Sequence, residues 1–386
     1  MNDATKESEI SRSFWKSRDK RKRKSNRMTD SDKGEKEITI KEVAKKSGLS
    51  QATVGRAIGG YGSVSKDTRE KVLKAARELN YVPNSIAQSM KSKSTNTVGF
   101  VVGNISNPFF SELVHSAEQV ATQAGFNLII SNTEENVYKE IEALKMLQSK
   151  RVDGLLIATA QRSEVILNDY EKKLYTGTVA TVFVDREIFS LGELCVKTDH
   201  FGGAFEGTNY LIEKGHTKIG IITGSLTNSM SQRVDGYRRA LQSKGVTVDE
   251  ELIVISDMSS SHDACENMKT LIKKRPDMTA VFALNTILCI GVLQAFHELR
   301  VKVPDDISLL GWDDFPLASI MSPALTMITQ NTELIGKIAM EKLIEEIRSG
   351  TKGRSLLGEK RITLKTEFIE RESCKNLNLS SEKRMR

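Results

Sequence analysis

Two hydrophobic rhythms divide this sequence. Across residues 38–82 apolar positions recur three and four apart, the spacing of one helix face. From residue 98 they gather into short continuous runs separated by amphipathic stretches. In the first region Thr39 stands three residues before Glu42, a capping box in which side chain and backbone satisfy each other's unpaired groups at a helix start. Gly48 ends that helix, as the residue type that accepts a left-handed cap. After the turn Ser47-Gly48-Leu49, Ser50 caps a second helix. Val54, Ala57 and Ile58 form its buried stripe, which leaves Gln51, Ala52 and Arg56 facing outward. A third helix is predicted from Ser65, with Val72, Leu73, Ala76 and Leu79 closing a small three-helix core.

Beyond residue 98 the predicted strands are Val98–Gly103, Phe126–Ser131, Val152–Ala158, Val179–Val184, Leu194–Val196, Lys218–Thr223, Leu252–Ser256, Ala280–Leu284 and Ile307–Leu310. Helices are predicted between them at Pro108–Ala124, Val137–Lys150, Ser163–Tyr175, Phe201–Lys214, Met230–Lys244, His262–Lys274 and Ile287–Leu299. Continuous apolar strands alternating with helices mean parallel sheets covered on both faces. About 230 residues of such units exceed one comfortable sheet, so two similar lobes are expected.

The remaining stretches are polar. Residues 1–37 carry the block Lys20-Arg21-Lys22-Arg23-Lys24 and show no periodicity, so disorder is expected there. They read as a solvated tail or a start assigned upstream of the true one, with sequence-independent phosphate contacts as the alternative. Residues 83–97 open with Pro83 and continue as a linker, and 374–386 form a polar tail. Residues 1–95 hold 23 Lys+Arg against 12 Asp+Glu, whereas the rest hold 34 against 38. A basic front end on a mildly acidic body points to a polyanion bound at one end.

Composition excludes several classes. Hydrophobic residues make up 39% and charged residues 28%, as in a soluble globular protein. No run approaches the roughly 18 apolar residues of a membrane span, and the first ten residues lack the apolar core of a secretory signal. A cytoplasmic protein is expected. Cys195, Cys265, Cys289 and Cys374 are far apart and need no disulfides in that compartment. His115, His200, His216, His262 and His297 show no metal-binding spacing and are expected to be surface or packing residues; neither metal nor cofactor is expected. No GxSxG, GxxxxGK[ST] or post-strand GxGxxG is present, so no catalytic residue is assigned and an enzyme is not expected.

Two constellations carry chemistry. Two short helices joined by a tight, Gly-containing turn form the helix-turn-helix pattern. Its second helix would enter the major groove, where the Arg56 fork matches guanine O6 and N7. The plainer reading is a helical hairpin with a solvated basic face. In the body, residues just after strands are polar: Asn104, Asn107, Ser131, Asn132, Asp185, Arg186, Asp199, Asn285, Asp313 and Asp314. Ligands of open α/β sheets bind at those strand ends. A ring of Asn, Asp and Arg suits the hydroxyls of a polyol or sugar, with Phe109 and Phe110 against an apolar sugar face. Taken singly, each Asn or Asp could equally cap a helix.

The stretch Thr39-Ile40-Lys41-Glu42-Val43-Ala44, then Ser47-Gly48-Leu49-Ser50, then Ala52-Thr53-Val54-Gly55-Arg56-Ala57-Ile58 resembles the headpiece of the lactose-repressor/galactose-repressor family, whose pattern is close to TIKDVAxxAGVSxATVSRAL. The likeness continues from about residue 39 to 373 through NISNPFF at 104–110, RVDGLLIA at 151–158, GHTKIGIITG at 215–224, RVDGYRRAL at 233–241, VPDDISLLGWDDFPLA at 303–318, LTMITQ at 325–330 and RITLKTEFIERES at 361–373. It implies a three-helix headpiece at 38–82, a hinge helix within 83–97 and, over 98–373, an effector-binding core of two lobes with the periplasmic sugar-binding-protein fold.

The resemblance further implies DNA contacts from Thr39, Ser50, Gln51, Ala52, Thr53 and Arg56, and hinge contacts from Asn84, Ser85, Ala87 and Met90. Paired hinge helices would wedge an apolar side chain, here Met90, into the minor groove and bend the DNA; a plain interdomain linker is the other reading. By position Asn107, Phe109, Phe110, Asp185 and Gln330 would line the effector site from one lobe, with Arg233, Asn285 and Asp313 from the other. The chain departs from the family at Gly55 where Ser is usual, at Met90 where Leu is, at Gln88 where Arg is common, at Thr286 after Asn285 where Asp is frequent, and at Trp312 where Phe or Tyr is usual.

The function implied is a homodimeric regulator on a palindromic operator, controlled by a small metabolite, a sugar or sugar derivative, bound between the lobes. Repression is the common outcome in the family. The alternative is a sugar-binding sensor without direct gene regulation. The 11-residue tail Asn376–Arg386 is too short and polar for a tetramer-forming heptad array.

Overall fold

A computed structural model describes residues 38–59, 62–82, 94–162, 164–177, 179–224, 227–257, 260–350 and 361–378. The expected extension 1–37, the hinge positions Asn84, Ser85, Ala87 and Met90, and residues 379–386 lie outside this set. The chain parts after Lys91 into two units.

The first unit is built from α1 (Ile40–Ser47), α2 (Gln51–Gly59) and α3 (Lys66–Glu78). The capping box forms, with the Thr39 amide donating to the Glu42 carboxylate at 2.9 Å. Gly48 ends α1 at φ +68°, a conformation in which any Cβ is strained. The Ser50 hydroxyl accepts from the Thr53 amide at 3.1 Å and starts α2. Val43, Ala44, Val54, Ala57, Val72, Ala75 and Ala76 make the core. Leu73, expected inside, is 39% exposed. The buried stripe of α3 runs through Val72, Ala75, Ala76 and Leu79, positions i, i+3, i+4 and i+7, and Leu73 falls beside it.

The second unit has two lobes. The first comprises β1 (Thr97–Val102), α4 (Pro108–Gln123), β2 (Asn127–Asn132), α5 (Val137–Ser149), β3 (Gly154–Ile157), α6 (Asp169–Thr176), β4 (Ala180–Val184) and β5 (Leu194–Thr198). The second comprises α7 (His200–Glu213), β6 (Ile219–Thr223), α8 (Asn228–Ser243), β7 (Ile253–Ile255), α9 (Ser261–Lys274), β8 (Ala280–Ala283), α10 (Thr286–Leu299), β9 (Ser308–Trp312) and β10 (Thr326–Thr329). The chain then returns to the first lobe for α11 (Thr332–Ser349) and β11 (Arg361–Leu364), and crosses again for β12 (Glu367–Ile369). The sheet orders are β11-β5-β4-β3-β1-β2 and β12-β10-β9-β8-β6-β7, parallel throughout except for β12 against β10. Strands β3, β4, β5, β6, β8 and β9 are buried at every residue, as parallel strands covered on both faces must be.

Periodicity alone did not reveal β10, α11, β11 or β12. Ile335, Ala339, Met340, Leu343 and Ile344 of α11 bury against Val98, Phe110 and Leu113 of the first lobe, more than two hundred positions earlier in the chain. The helix expected at Ser163–Tyr175 begins only at Asp169. Asn168 and Glu171 form a capping box there (2.9 and 3.0 Å), which outweighs any start at Ser163, and Leu167 is drawn into the core. Where the chain enters the first lobe, the Asp153 carboxylate accepts from the Ser94 hydroxyl at 2.7 Å and from the Thr95 amide at 3.1 Å. All four cysteines are buried and unpaired.

Candidate functional site

On the headpiece, Gln51, Ala52 and Arg56 are exposed while Val54, Gly55 and Ala57 are buried. The hydroxyls of Thr39 and Ser50 are engaged in helix caps, and Thr53 is half-buried beside Ser50. The surface left for base edges is therefore the outer face of α2, with Arg56 its one cation.

In the second unit a cavity lies between the lobes at the carboxyl ends of the strands. Asn104, Asn107, Phe109, Phe110, Glu135, Asp185 and Arg186 line it from the first lobe, and Ser229, Met230, Arg233, Asn285 and Asp313 from the second. Its volume is about 20 Å3, room for about one water molecule. Asp185 and Asp313 occupy equivalent places, each directly after the third strand of its sheet. Both adopt left-handed backbone, φ +64° and +67°, rare for residues other than glycine. Amide bonds to Val196 O (2.9 Å) and Ile328 O (2.8 Å) pin them, so the two carboxylates are built into the cleft by the same device.

Around them runs a buried charge network. Arg186 donates to Asp185 Oδ2 (3.1 Å), to both carboxylate oxygens of Glu135 (2.5 and 3.0 Å) and to Thr159 O (3.2 Å), and lies 5.8 Å from the Phe110 ring centre. Burial works against its charge, but Glu135 and Asp185 outweigh that and raise its pKa. Arg233 donates to Leu284 O and to His200 Nδ1 (3.3 and 3.4 Å), and its guanidinium sits 4.1 Å over the Trp312 ring. Burial lowers its pKa despite Asp313 and Asp185 nearby. Burial also lowers the His200 pKa, against the pull of Asp185, whose Oδ1 lies 3.1 Å from Nε2. Burial opposes the Asp185 carboxylate, yet His200, Arg186 and Arg233 keep its pKa below the usual range. Asp313 differs: burial pushes it up to about 6, against the pull of Arg233 and of Gln330, which donates to it at 2.6 Å. Gln330 Oε1 and Trp312 Nε1, beside Asp313 and Arg233, are buried without a protein hydrogen-bond partner, and Asp185 Oδ1 has only the His200 ring beside it. Such atoms suit a ligand rich in hydroxyls, which both donate and accept.

Of the eight effector-site residues expected from sequence, seven line this cavity and Gln330 contacts it through Asp313. Asn107 and Asn285 also cap α4 and α10, so each both caps a helix and borders the cavity. Other post-strand polar residues serve elsewhere. Asn132 accepts from the Ile105 amide (3.0 Å), Asp199 caps α7 through Gly202 (2.8 Å), and Asp314 pairs with Arg371 (2.8 and 2.7 Å). Thr286, where Asp is frequent, donates its hydroxyl to Asp313 O at 3.1 Å. Sequence reasoning left Glu135 and His200 out of the site. Neither follows a strand directly within the polar ring, and no spacing marks them. Among the described residues Cys265, Glu266 and Glu298 cluster at metal-ligand distance, but the Lys269 ammonium already sits between the two glutamates, 2.5 and 2.7 Å from them.

Residues 39–84 match the model of bacterial regulatory proteins of the lacI family, and residues 208–374 that of a periplasmic binding protein-like domain. The chain is 34% identical over 342 residues to the HTH-type transcriptional repressor PurR of Photobacterium profundum, spanning 88% of this chain and 99% of that protein. It is 35% identical over 340 residues to the ribose operon repressor of Escherichia coli K12, spanning 87% and 99%. A solved LacI family transcriptional regulator from Enterococcus faecium with bound ribose superposes with a TM-score of 0.62 at 26% identity, over 72% of this chain and 99% of that one. No helix among the described residues is long and apolar enough to cross a membrane. A capped helix-turn-helix on one unit and a two-lobed sheet pair on the other thus coincide with family matches at both ends and near-full-length relatives: the chain belongs to the lacI family of bacterial regulatory proteins.

Proposed function

We propose that this regulator acts in the cytoplasm as a homodimeric repressor, reading a palindromic operator with α2 and hinge residues, and that its effector is an uncharged sugar of about pentose size held between the lobes. The effector is bound and released unchanged; the protein acts as a switch, not as an enzyme. One observation carries the effector class: two aspartates, two arginines and three asparagines converge on one cavity, a set of donors and acceptors that suits hydroxyl groups. One face each of Phe110 and Trp312 lies under a guanidinium, which disfavours stacking of a nucleobase there. The ribose-bound relative and the ribose operon repressor support the same class.

A ring-sized ligand cannot enter a cavity of about 20 Å3, so loading requires the lobes to rotate apart about the chain crossings. The effector then shifts operator affinity only by its preference for one lobe arrangement. A thermal-shift screen of aldopentoses, hexoses, sugar phosphates and nucleobases tests this. A matching sugar at 100 times its Kd should stabilise by about 2.7 kcal/mol, and the same sugar should change operator affinity in a gel-shift assay. Stabilisation by a nucleobase and by no neutral sugar would overturn the assignment.

A further inference from the structure

We propose that Glu135 sets the charge selectivity of the cleft, making it choose an uncharged polyol over the anionic counterpart of similar size; this rests on the reading that a sugar binds between the lobes. Arg186 has five N–H donors. Nε–H goes to Asp185, both Nη1 hydrogens to Glu135 and Thr159 O, and one Nη2 hydrogen to Glu135. A single N–H remains, enough for one hydroxyl but not for the fork by which arginine grips a carboxylate or phosphate. Glu135 therefore occupies, from within the protein, the place an anionic ligand would take.

The placement of Glu135 is built in. Glu134 and Glu135 both have left-handed backbone, φ +53° and +57°. Amides of Thr133 and Glu135 bond to Val102 O (2.9 Å) and Gly103 O (3.1 Å), fixing the loop over the end of β1. A methyl group at Gly103 would overlap the Glu135 carboxylate, so glycine there leaves the space the carboxylate fills. On the far side of Arg186, the Glu140 carboxylate accepts from the Thr159 hydroxyl (2.7 Å), the Ala160 amide (2.5 Å) and the Tyr175 hydroxyl (2.5 Å), which steadies the turn offering Thr159 O.

Glu135 also borders a second, larger cavity of about 610 Å3. Glu134, itself paired with Lys139, lines it from the first lobe, with Asp257 and Asp263 from the second, and among the described residues no lysine or arginine lines it.

The test uses the full chain at constant ionic strength, read by thermal shift. Wild type should bind an aldopentose at least about tenfold more tightly than the matching aldonate, the worth of one charge-assisted hydrogen bond. Inorganic sulfate should not stabilise it saturably. Glu135→Gln, and separately Gly103→Ala, which displaces the carboxylate without changing it, should shrink or reverse the sugar preference. Both should gain saturable sulfate stabilisation, and Glu135→Gln combined with Arg186→Gln should lose it. Equal affinity of wild type for sugar and aldonate, or variants with unchanged preference and no sulfate response, would overturn the proposal. If wild type binds neither sugar form, the effector class fails, and the sulfate arm alone decides the role of Glu135.

Discussion

Replacing Asp313 by Asn isolates the energetic cost of a charge built into the cleft. The carboxyl is buried, and burial lifts its pKa from 3.8 to about 6. The folded state therefore ionises it less readily than the unfolded chain does. Below pH 3.8 the group is protonated in both states and costs nothing. Between about pH 3.8 and 6 stability is lost, because the unfolded chain ionises the carboxyl while the folded protein holds it protonated, and the loss levels off once the folded group ionises too. At about 1.4 kcal/mol per pH unit the loss at pH 7 is about 3 kcal/mol. Asn keeps an oxygen for the Gln330 donor but does not titrate, and any cost of leaving Arg233 without its counter-charge is constant over this range. The difference in unfolding free energy, Asp313→Asn minus wild type, should therefore climb by about 2.4 kcal/mol between pH 4 and pH 7. Urea unfolding followed through Trp312, which stacks on Arg233, reports on this lobe. A difference curve that is flat or falling over that window would refute the reasoning. The same substitution should weaken effector binding by about 1 kcal/mol, since a carboxylate accepts hydroxyls more strongly than an amide.

Arg56→Ala should leave the headpiece folded, because the side chain is exposed, but cost about 1–3 kcal/mol of operator binding and relax discrimination at one base pair; gel shifts on single-base operator variants that show unaltered discrimination would count against it. Thr39→Ala breaks the capping box of α1 and should lower headpiece stability by about 1 kcal/mol, seen as earlier helix melting by circular dichroism. Tyr175→Phe removes a donor to the buried Glu140 carboxylate and should cost the second unit about 1.5–3 kcal/mol; an unchanged urea midpoint would show that the hydroxyl is dispensable.

The sequence by itself determined what short-range physics controls. Capping at Thr39 and Ser50, the left-handed turn at Gly48 and the stripe Val54-Ala57-Ile58 are satisfied within a few residues, so the headpiece was legible. Alternation of apolar strands with helices required covered parallel sheets, and polar residues after strands marked one end of them. Leu73 and the helix start at Asp169 were misread because stripe phase and a competing cap decide such details. Only the tertiary structure decided that α11 returns to bury against α4, that β11 and β12 join different sheets, and that Asp185 and Asp313 sit at matching places across one cleft. It alone joined Glu135 to Arg186, 51 positions apart, and His200 to Arg233, 33 apart. The physical reason is range: a cap or a helix stripe is written into neighbouring residues, whereas a buried ion pair is made by two loops whose meeting depends on how whole sheets pack.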